Sequence, residues 1–256
     1  MTSPAAQRLL DAARSATPCL PVRDLIGAGD IPAAYAVQRE VAARRTGRVV
    51  GHKIGLTSPA VQRQLGVDRP DFGLLFDDMD VSRLDPVPMD GLLQPRIEAE
   101  VAFLLGADLT GAFTADDVRA AVDVMAPALE IVDSRIAGWD ISIADTIADN
   151  ASSALFVLGA DRVGLDVLEP VTIQMELAVD GEVVSKGSGA ACLGDPLAAL
   201  AWLAGAARDL GDPLRAGQVV LSGALGPMVP VRPGIRVTAT LTGLGTVATT
   251  FAGAAA

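Results

Sequence analysis

Glu98 and Glu100 stand two residues apart in the segment Gln94 to Leu105, interleaved with Ile97, Ala99, Val101 and Phe103. If that segment is a strand, its alternation puts Ile97, Ala99, Val101 and Phe103 on one face and both glutamates on the other. A solvated outer face could carry such a pair. Glu130 shifts the balance, because it interrupts an apolar run, Ala128, Leu129, Ile131 and Val132. A carboxylate within a buried strand requires a partner, since unpaired buried charge is costly. One hard divalent cation would serve all three carboxylates, and oxygen-only ligation is the habit of Mg²⁺ or Mn²⁺. Lys53 is the other residue with evident chemistry: of 20 basic residues only Lys53 and Lys186 are lysines. A lysine pKa can be moved by its surroundings, whereas an arginine stays charged.

These residues need elements to hold them. Val49 to Leu56 is predicted as a strand carrying Lys53, with His52 pointing to the opposite face and therefore structural. Residues 3 to 44 have apolar positions near helical spacing (Leu9, Leu10, Ala13; Tyr35, Val37, Val41) and predict a helical cap. Ser58-Pro59 predicts a short helix start, and Thr114 with Asp117 predicts a capped helix that ends at Pro127, before a strand over Ala128 to Val132. Asp195-Pro196 opens another helix, which Gly211 closes. The last third reads as strands: Val171 to Val179, an Asp180-Gly181 turn, Val183 to Ser185, Gln218 to Ser222, Ile235 to Leu241 and Thr246 to Phe251. Helices and strands do not alternate regularly, so the expected class is α+β with a mixed, largely antiparallel sheet. Residues 1–70 form the mainly helical cap and 71–256 the β-rich, metal-binding region, together one compact unit.

The composition narrows the partners. Half of the 256 residues are apolar, a fifth are charged and the net charge is −11, with no basic run. This disfavours nucleic acid and anionic membrane surfaces, so an anionic substrate needs local cations. The longest apolar stretch, Leu197 to Ala207, is too short to span a bilayer, and the N-terminus lacks the apolar core of a signal peptide, so the expected location is the cytoplasm. Cys19 and Cys192 show no disulfide or metal spacing and are expected to be small buried apolar residues.

Six segments, in order, carry a family likeness: Gly51 to Thr57 (GHKIGLT), Gln64 to Gly73 (QLGVDRPDFG), Gln94 to Glu100 (QPRIEAE), Leu129 to Arg135 (LEIVDSR), Ala148 to Ser152 (ADNAS) and Leu221 to Met228 (LSGALGPM). Across about Leu20 to Phe251 the chain resembles the hydratase/decarboxylase family of the fumarylacetoacetate-hydrolase superfamily, which acts in meta-cleavage degradation of aromatic compounds. The resemblance implies that fold. It also implies Glu98, Glu100 and Glu130 as ligands of Mg²⁺ or Mn²⁺, Lys53 and Asp71 as acid/base residues, and Ser152 and Leu75 as substrate contacts. The implied substrate is a small anionic 2-oxo/2-hydroxy-dienoate, hydrated as 2-hydroxypenta-2,4-dienoate would be, by a homo-oligomer of up to ten subunits. Decarboxylation of 4-oxalocrotonate is the nearest alternative. A non-catalytic cation-binding protein is the alternative from another class. Asp71 would otherwise be a turn or capping residue after Pro70. Asp77 and Asp78 are expected in a loop, with a place beside the metal as the alternative, Lys186 is expected in a loop, and Arg135 is left between pairing with a carboxylate and orienting the site. A cation and partial burial should both lower the Lys53 pKa.

Overall fold

The computed structural model describes residues 2–58, 62 and 69–253. Three helices come first, α1 (Pro4–Ser15), α2 (Arg23–Ile26) and α3 (Ile31–Ala42). The side chains of Ser3 and Asp30 cap α1 and α3 by accepting the N–H of Ala6 and Ala33, and each helix has proline in its first turn. Of the apolar positions named from their spacing, Leu9, Tyr35 and Val37 turn into the core, whereas Leu10 and Val41 are half-buried and Ala13 is exposed. The short helix expected after Ser58 lies outside the described residues.

Seven strands then build the larger sheet: β1 (Val49–Gly55), β2 (Asp71–Phe76), β3 (Arg96–Leu105), β4 (Val122–Val132), β5 (Ser153–Leu158), and later β8 (Val219–Leu221) and β9 (Val229–Pro230). The order is β2-β1-β8-β3-β4-β5, with β9 beside β3. Four more strands, β6 (Gln174–Val179), β7 (Glu182–Ser188), β10 (Arg236–Leu241) and β11 (Gly245–Thr250), make a second sheet in the order β11-β10-β6-β7. The pairings between named strands are antiparallel except β1 with β8. That parallel contact is tight: a Cβ on Gly51 would lie 1.9 Å from the Val219 carbonyl oxygen, so only glycine lets the strands meet. The α+β class with a mixed sheet is therefore as expected. Of the residues 1–70 assigned to a cap, 4–42 carry the helices, whereas β1 lies inside the sheet.

Helices α4 (Ala115–Ala121), α5 (Ile143–Ala148) and α6 (Pro196–Asp209) complete the fold. Thr114 and Asp117 cap each other reciprocally at α4, and Asp195 caps α6. The run Gly189–Asp209 is long and apolar enough by composition to cross a membrane. Its α6 portion instead buries Leu200, Leu203 and Ala207 completely, as a core helix does. Helix α4 ends earlier than Pro127 predicts: β4 begins at Val122 and Pro127 sits within it, opposite Val101. The strand tolerates proline there because the Pro127 carbonyl, accepting from Gly159 N–H, points toward β5 just past that strand's end at Leu158, so the missing donor faces no ladder partner. The strand expected from Val171 starts at Gln174, after a 3-10 turn over Pro170–Thr172.

Candidate active site

The β3 alternation is as predicted. Ile97, Ala99, Val101 and Phe103 enter the main core, while Glu98 and Glu100 project from the other face. Antiparallel register sets Glu130 of β4 directly opposite Glu98. The three carboxylates are buried, and one oxygen from each lies within 4.8 Å of the others. Glu100 accepts the Gly223 N–H at 2.6 Å through one oxygen, while its other oxygen and both oxygens of Glu130 lack hydrogen-bond donors. Buried acceptors left this way call for a cation. Three close carboxylate oxygens suit a hard divalent ion, so the residues fit the metal that the sequence implied. Burial, and then the Glu130 charge, push the Glu98 carboxyl up to about 7, and Glu100 rises well above the ordinary carboxylate range for the same two reasons.

Lys53 reaches the cluster from β1. Its ammonium lies 3.4 Å from a Glu130 oxygen and donates to the Ala151 carbonyl at 2.9 Å. Burial alone would lower its pKa, but the carboxylates of Glu130, Glu98, Asp71 and Glu100 outweigh burial and raise it above the ordinary lysine value. The downward shift expected from sequence presupposes a cation that neutralises those carboxylates. Asp71, on β2, faces Gly55 of β1, where a Cβ would stand 2.2 Å from its Oδ1; the glycine makes room for the carboxylate beside Lys53. The Asp71 Oδ2 accepts from Thr146 Oγ1 at 3.3 Å, and Thr146 Oγ1 lies 3.4 Å from Ser152 Oγ. Burial raises the Asp71 pKa to about 6 despite the opposing pull of Lys53.

Ser152 and the Ala151 carbonyl come from an unusual turn. Asn150, Ala151 and Ser152 have φ of 57, 51 and 54, three successive left-handed residues without a glycine. Each costs about 1–2 kcal/mol in that conformation, so surrounding contacts must hold the turn. The Asn150 carboxamide accepts the Leu74 N–H at 2.8 Å and donates to the Leu74 carbonyl at 2.9 Å, fixing the turn to β2. Asp149, just before it, is clamped by Arg135 and Ser134.

A cavity of about 360 Å³ joins Lys53, Asp71, Glu98, Thr146 and Ser152. Glu100 and Glu130 lie at the buried side of this cluster. Leu75 is the exception among the residues named from sequence: it does not line the cavity but is fully buried in a smaller core cluster with Ala102, Ala128 and Leu221. It shares a strand face with Asp71 but lies four residues deeper, under the carboxylates. Thr146 was missed, although it follows Asp145, whose capping of α5 through Ser142 fixes the helix that presents it. His52 points away from Lys53 into the core beside Phe72, with neither ring nitrogen hydrogen-bonded. Asp77 accepts the Arg48 N–H and Asp78 pairs with Arg45, while Lys186, expected in a loop, lies within β7 opposite Glu176 and pairs with it; all are outside the cavity. Cys192 is buried and Cys19 half-buried.

Comparison with known proteins adds the following. The family model described as fumarylacetoacetate (FAA) hydrolase C-terminal matches residues 63–252. A 2-keto-4-pentenoate hydratase of Burkholderia vietnamiensis is 52% identical over 250 residues, covering 96% of this chain and 95% of that one. A protein of the same name from Paraburkholderia xenovorans is 51% identical over 251 residues, covering 96% and 93%. Among solved structures, 4-oxalocrotonate decarboxylase from Pseudomonas putida G7, complexed with magnesium and adipate, superposes with a TM-score of 0.88 at 34% identity, covering 96% of this chain and 95% of that one.

Proposed function

Because the chain belongs to the fumarylacetoacetate hydrolase family, we propose that it is a metal-dependent hydratase that adds water to 2-hydroxypenta-2,4-dienoate, the enol of 2-oxopent-4-enoate, to give 4-hydroxy-2-oxopentanoate. Relatives sharing about half their residues with it over nearly their whole length carry the hydratase name. The observation that carries the chemistry is one cavity lined by Lys53, Asp71 and Glu98, with Glu100 and Glu130 completing a buried three-carboxylate cluster behind Glu98.

Glu98, Glu100 and Glu130 would hold Mg²⁺ or Mn²⁺, whose charge stabilises the enolate of a 2-oxo acid when bound. Lys53 handles the proton that leaves the 2-hydroxyl or arrives at C5. Asp71 orients and activates the water that adds at C4, once protonation at C5 has left C3–C4 conjugated to the carbonyl. Thr146 and Ser152 extend that hydrogen-bonded line into the cavity. His52, turned into the core, is not available as the water-activating base of a C–C bond hydrolase.

Removing divalent ions should abolish turnover and lower the thermal midpoint, because the carboxylates then repel one another unscreened; Mg²⁺ or Mn²⁺ should restore both. The test is incubation with freshly generated 2-hydroxypentadienoate and with 4-oxalocrotonate, with and without metal, and identification of products by mass. Full activity after rigorous chelation would exclude the mechanism. The decarboxylase neighbour supports a second reading, which release of CO₂ from 4-oxalocrotonate would select. Metal binding without any turnover would leave a cation-binding protein.

A base must be ionised to act. Acid that protonates Asp71 below about pH 6 should therefore reduce kcat/KM about tenfold per unit of pH. A profile flat down to pH 5 would remove Asp71 from that role. The same reading makes the chain a cytoplasmic homo-oligomer of up to ten subunits, supported by the exposed Leu20, Val167, Val183 and Val184. Light scattering at the 26.2 kDa monomer mass would reject the assembly.

A further inference from the structure

Arg96 is a charged residue of the cavity wall that the mechanism leaves unused. It shares the strand face of Glu98 and Glu100, one pleat nearer solvent: Glu100 is fully buried, Glu98 is 7% exposed and Arg96 is half-buried. Two residues of strand place its Cα about 7 Å from that of Glu98. The two cations among the described residues of the cavity differ in their attachments. Lys53 is tied to Glu130 and the Ala151 carbonyl. No carboxylate among the described residues pairs with Arg96; its guanidinium lies over the Trp139 ring, 4.6 Å from the centroid, with Met228 Sδ at 3.9 Å. In a chain of net charge −11, an unclaimed guanidinium at the rim of an acidic pocket stands out.

Trp139 is placed there at a cost. It has φ of 57, directly after Gly138 at 66, a conformation that a bulky side chain adopts only when its surroundings impose it. Gln94 imposes it: the side-chain oxygen accepts the Gly138 N–H at 2.7 Å, and the backbone carbonyl accepts the Trp139 indole N–H at 3.1 Å. Gln94 is itself held, donating to the Ser134 and Ile136 carbonyls through its amide and to Asp133 through its backbone N–H. The indole thus covers the guanidinium, Nη1 has only the weak acceptor Met228 Sδ, and no carboxylate among the described residues takes its N–H groups, an arrangement that suits a planar carboxylate.

We propose that Arg96, braced by Trp139, is the clamp for the C1 carboxylate of the substrate and takes the oxygen turned away from the glutamate cluster. This rests on the hydratase reading, whose five-carbon substrate offers only that carboxylate. The clamp orients the tail into the cavity toward Asp71 and explains how a strongly acidic protein accepts an anion.

The test uses full-length protein with Mg²⁺ and the unreactive saturated analogue 2-oxopentanoate, titrated calorimetrically, alongside steady-state kinetics with 2-hydroxypentadienoate. Arg96→Met should weaken 2-oxopentanoate binding and raise KM at least tenfold, as loss of a charge-assisted hydrogen bond does. It should raise KM by a larger factor than it lowers kcat and leave Mg²⁺ affinity unreduced. Arg96→Lys should recover only part of the loss, because the fork is gone. Trp139→Leu, which frees the guanidinium without removing it, should raise KM by a smaller factor and serves if Arg96→Met does not fold. Unchanged 2-oxopentanoate affinity in folded Arg96→Met overturns the clamp, as does a loss confined to the dicarboxylate adipate, which would make Arg96 a reader of the tail. A wild-type protein that binds 2-oxopentanoate through Arg96 yet hydrates nothing would sink the hydratase reading and leave the clamp standing.

Discussion

Lys53→Met is expected to lower kcat at least a hundredfold, about the contribution of a general acid/base, while divalent-cation affinity holds or improves. Methionine keeps the apolar stem in a site that is 3% exposed and removes only the amine. The lost ammonium is the nearest positive charge to Glu130, at 3.4 Å, so a cation competes with one fewer like charge in the variant. The same loss should enlarge the fall in thermal midpoint on chelation, since nothing then offsets the three carboxylates. Lys53→Arg should rescue little: the buried site has room for an ammonium against the Ala151 carbonyl, and guanidinium does not give up its proton. Turnover within threefold of wild type in Lys53→Met would make Lys53 a bystander, with Asp71 the next proton donor to test.

The second large effect belongs to Glu130. Glu130→Ala should weaken Mg²⁺ binding by more than about a hundredfold, beyond what loss of an outer partner of a metal site costs, and should leave under about 1% of activity by the same reasoning. Glu130 is completely buried and its oxygens have no other donors, so its engagement is with Lys53 and the proposed cation. Its removal also takes from the buried Lys53 ammonium its nearest carboxylate, and breaking one side of a buried pair costs up to about 3–5 kcal/mol. Circular dichroism must therefore accompany calorimetry, and Glu130→Gln preserves the packing if alanine does not fold. Glu182→Ala, exposed on β7, should change neither property. Wild-type Mg²⁺ affinity in a folded Glu130 variant would move that residue away from the metal.

Much of this site was visible in period-two patterning. The alternation along β3 separates Glu98 and Glu100 from the core face, and an isolated glutamate among apolar residues marks Glu130. Their juxtaposition is a matter of register, and nothing local in either strand states that Glu98 faces Glu130. The turn at residues 150–152 was hidden for a different reason: left-handed backbone is normally announced by glycine, and here Asn150 secures it through Leu74, far away in sequence. Pro127 misled because a proline after a helical pattern usually ends the helix; its place beyond the end of β5 is set by tertiary pairing. Leu75 was placed by the overall family resemblance, outside the six segments that carry it, and its position along β2 puts it in a core cluster with Ala102, Ala128 and Leu221. The direction of the Lys53 shift depends on how many carboxylates converge on it, a number that only the folded chain supplies.

The parallel seam between β1 and β8 also imposes an order on biosynthesis. Glu98, Glu100 and Glu130 sit on neighbouring strands close in sequence, so a nascent chain can bring them together soon after β4 and β5 emerge. The Lys53 strand joins β3 only through Val219–Leu221. At translation rates of roughly 5–20 residues per second, β8 follows β5 by about 3–12 s. Until β8 arrives, Lys53 meets the acidic cluster through the turn at residues 150–152 and not through a closed sheet, so the cluster forms with its lysine less firmly held. A divalent ion from the surrounding fluid is the other counter-charge available to it, so metal supply during synthesis should influence the yield of folded enzyme as well as its activity afterwards.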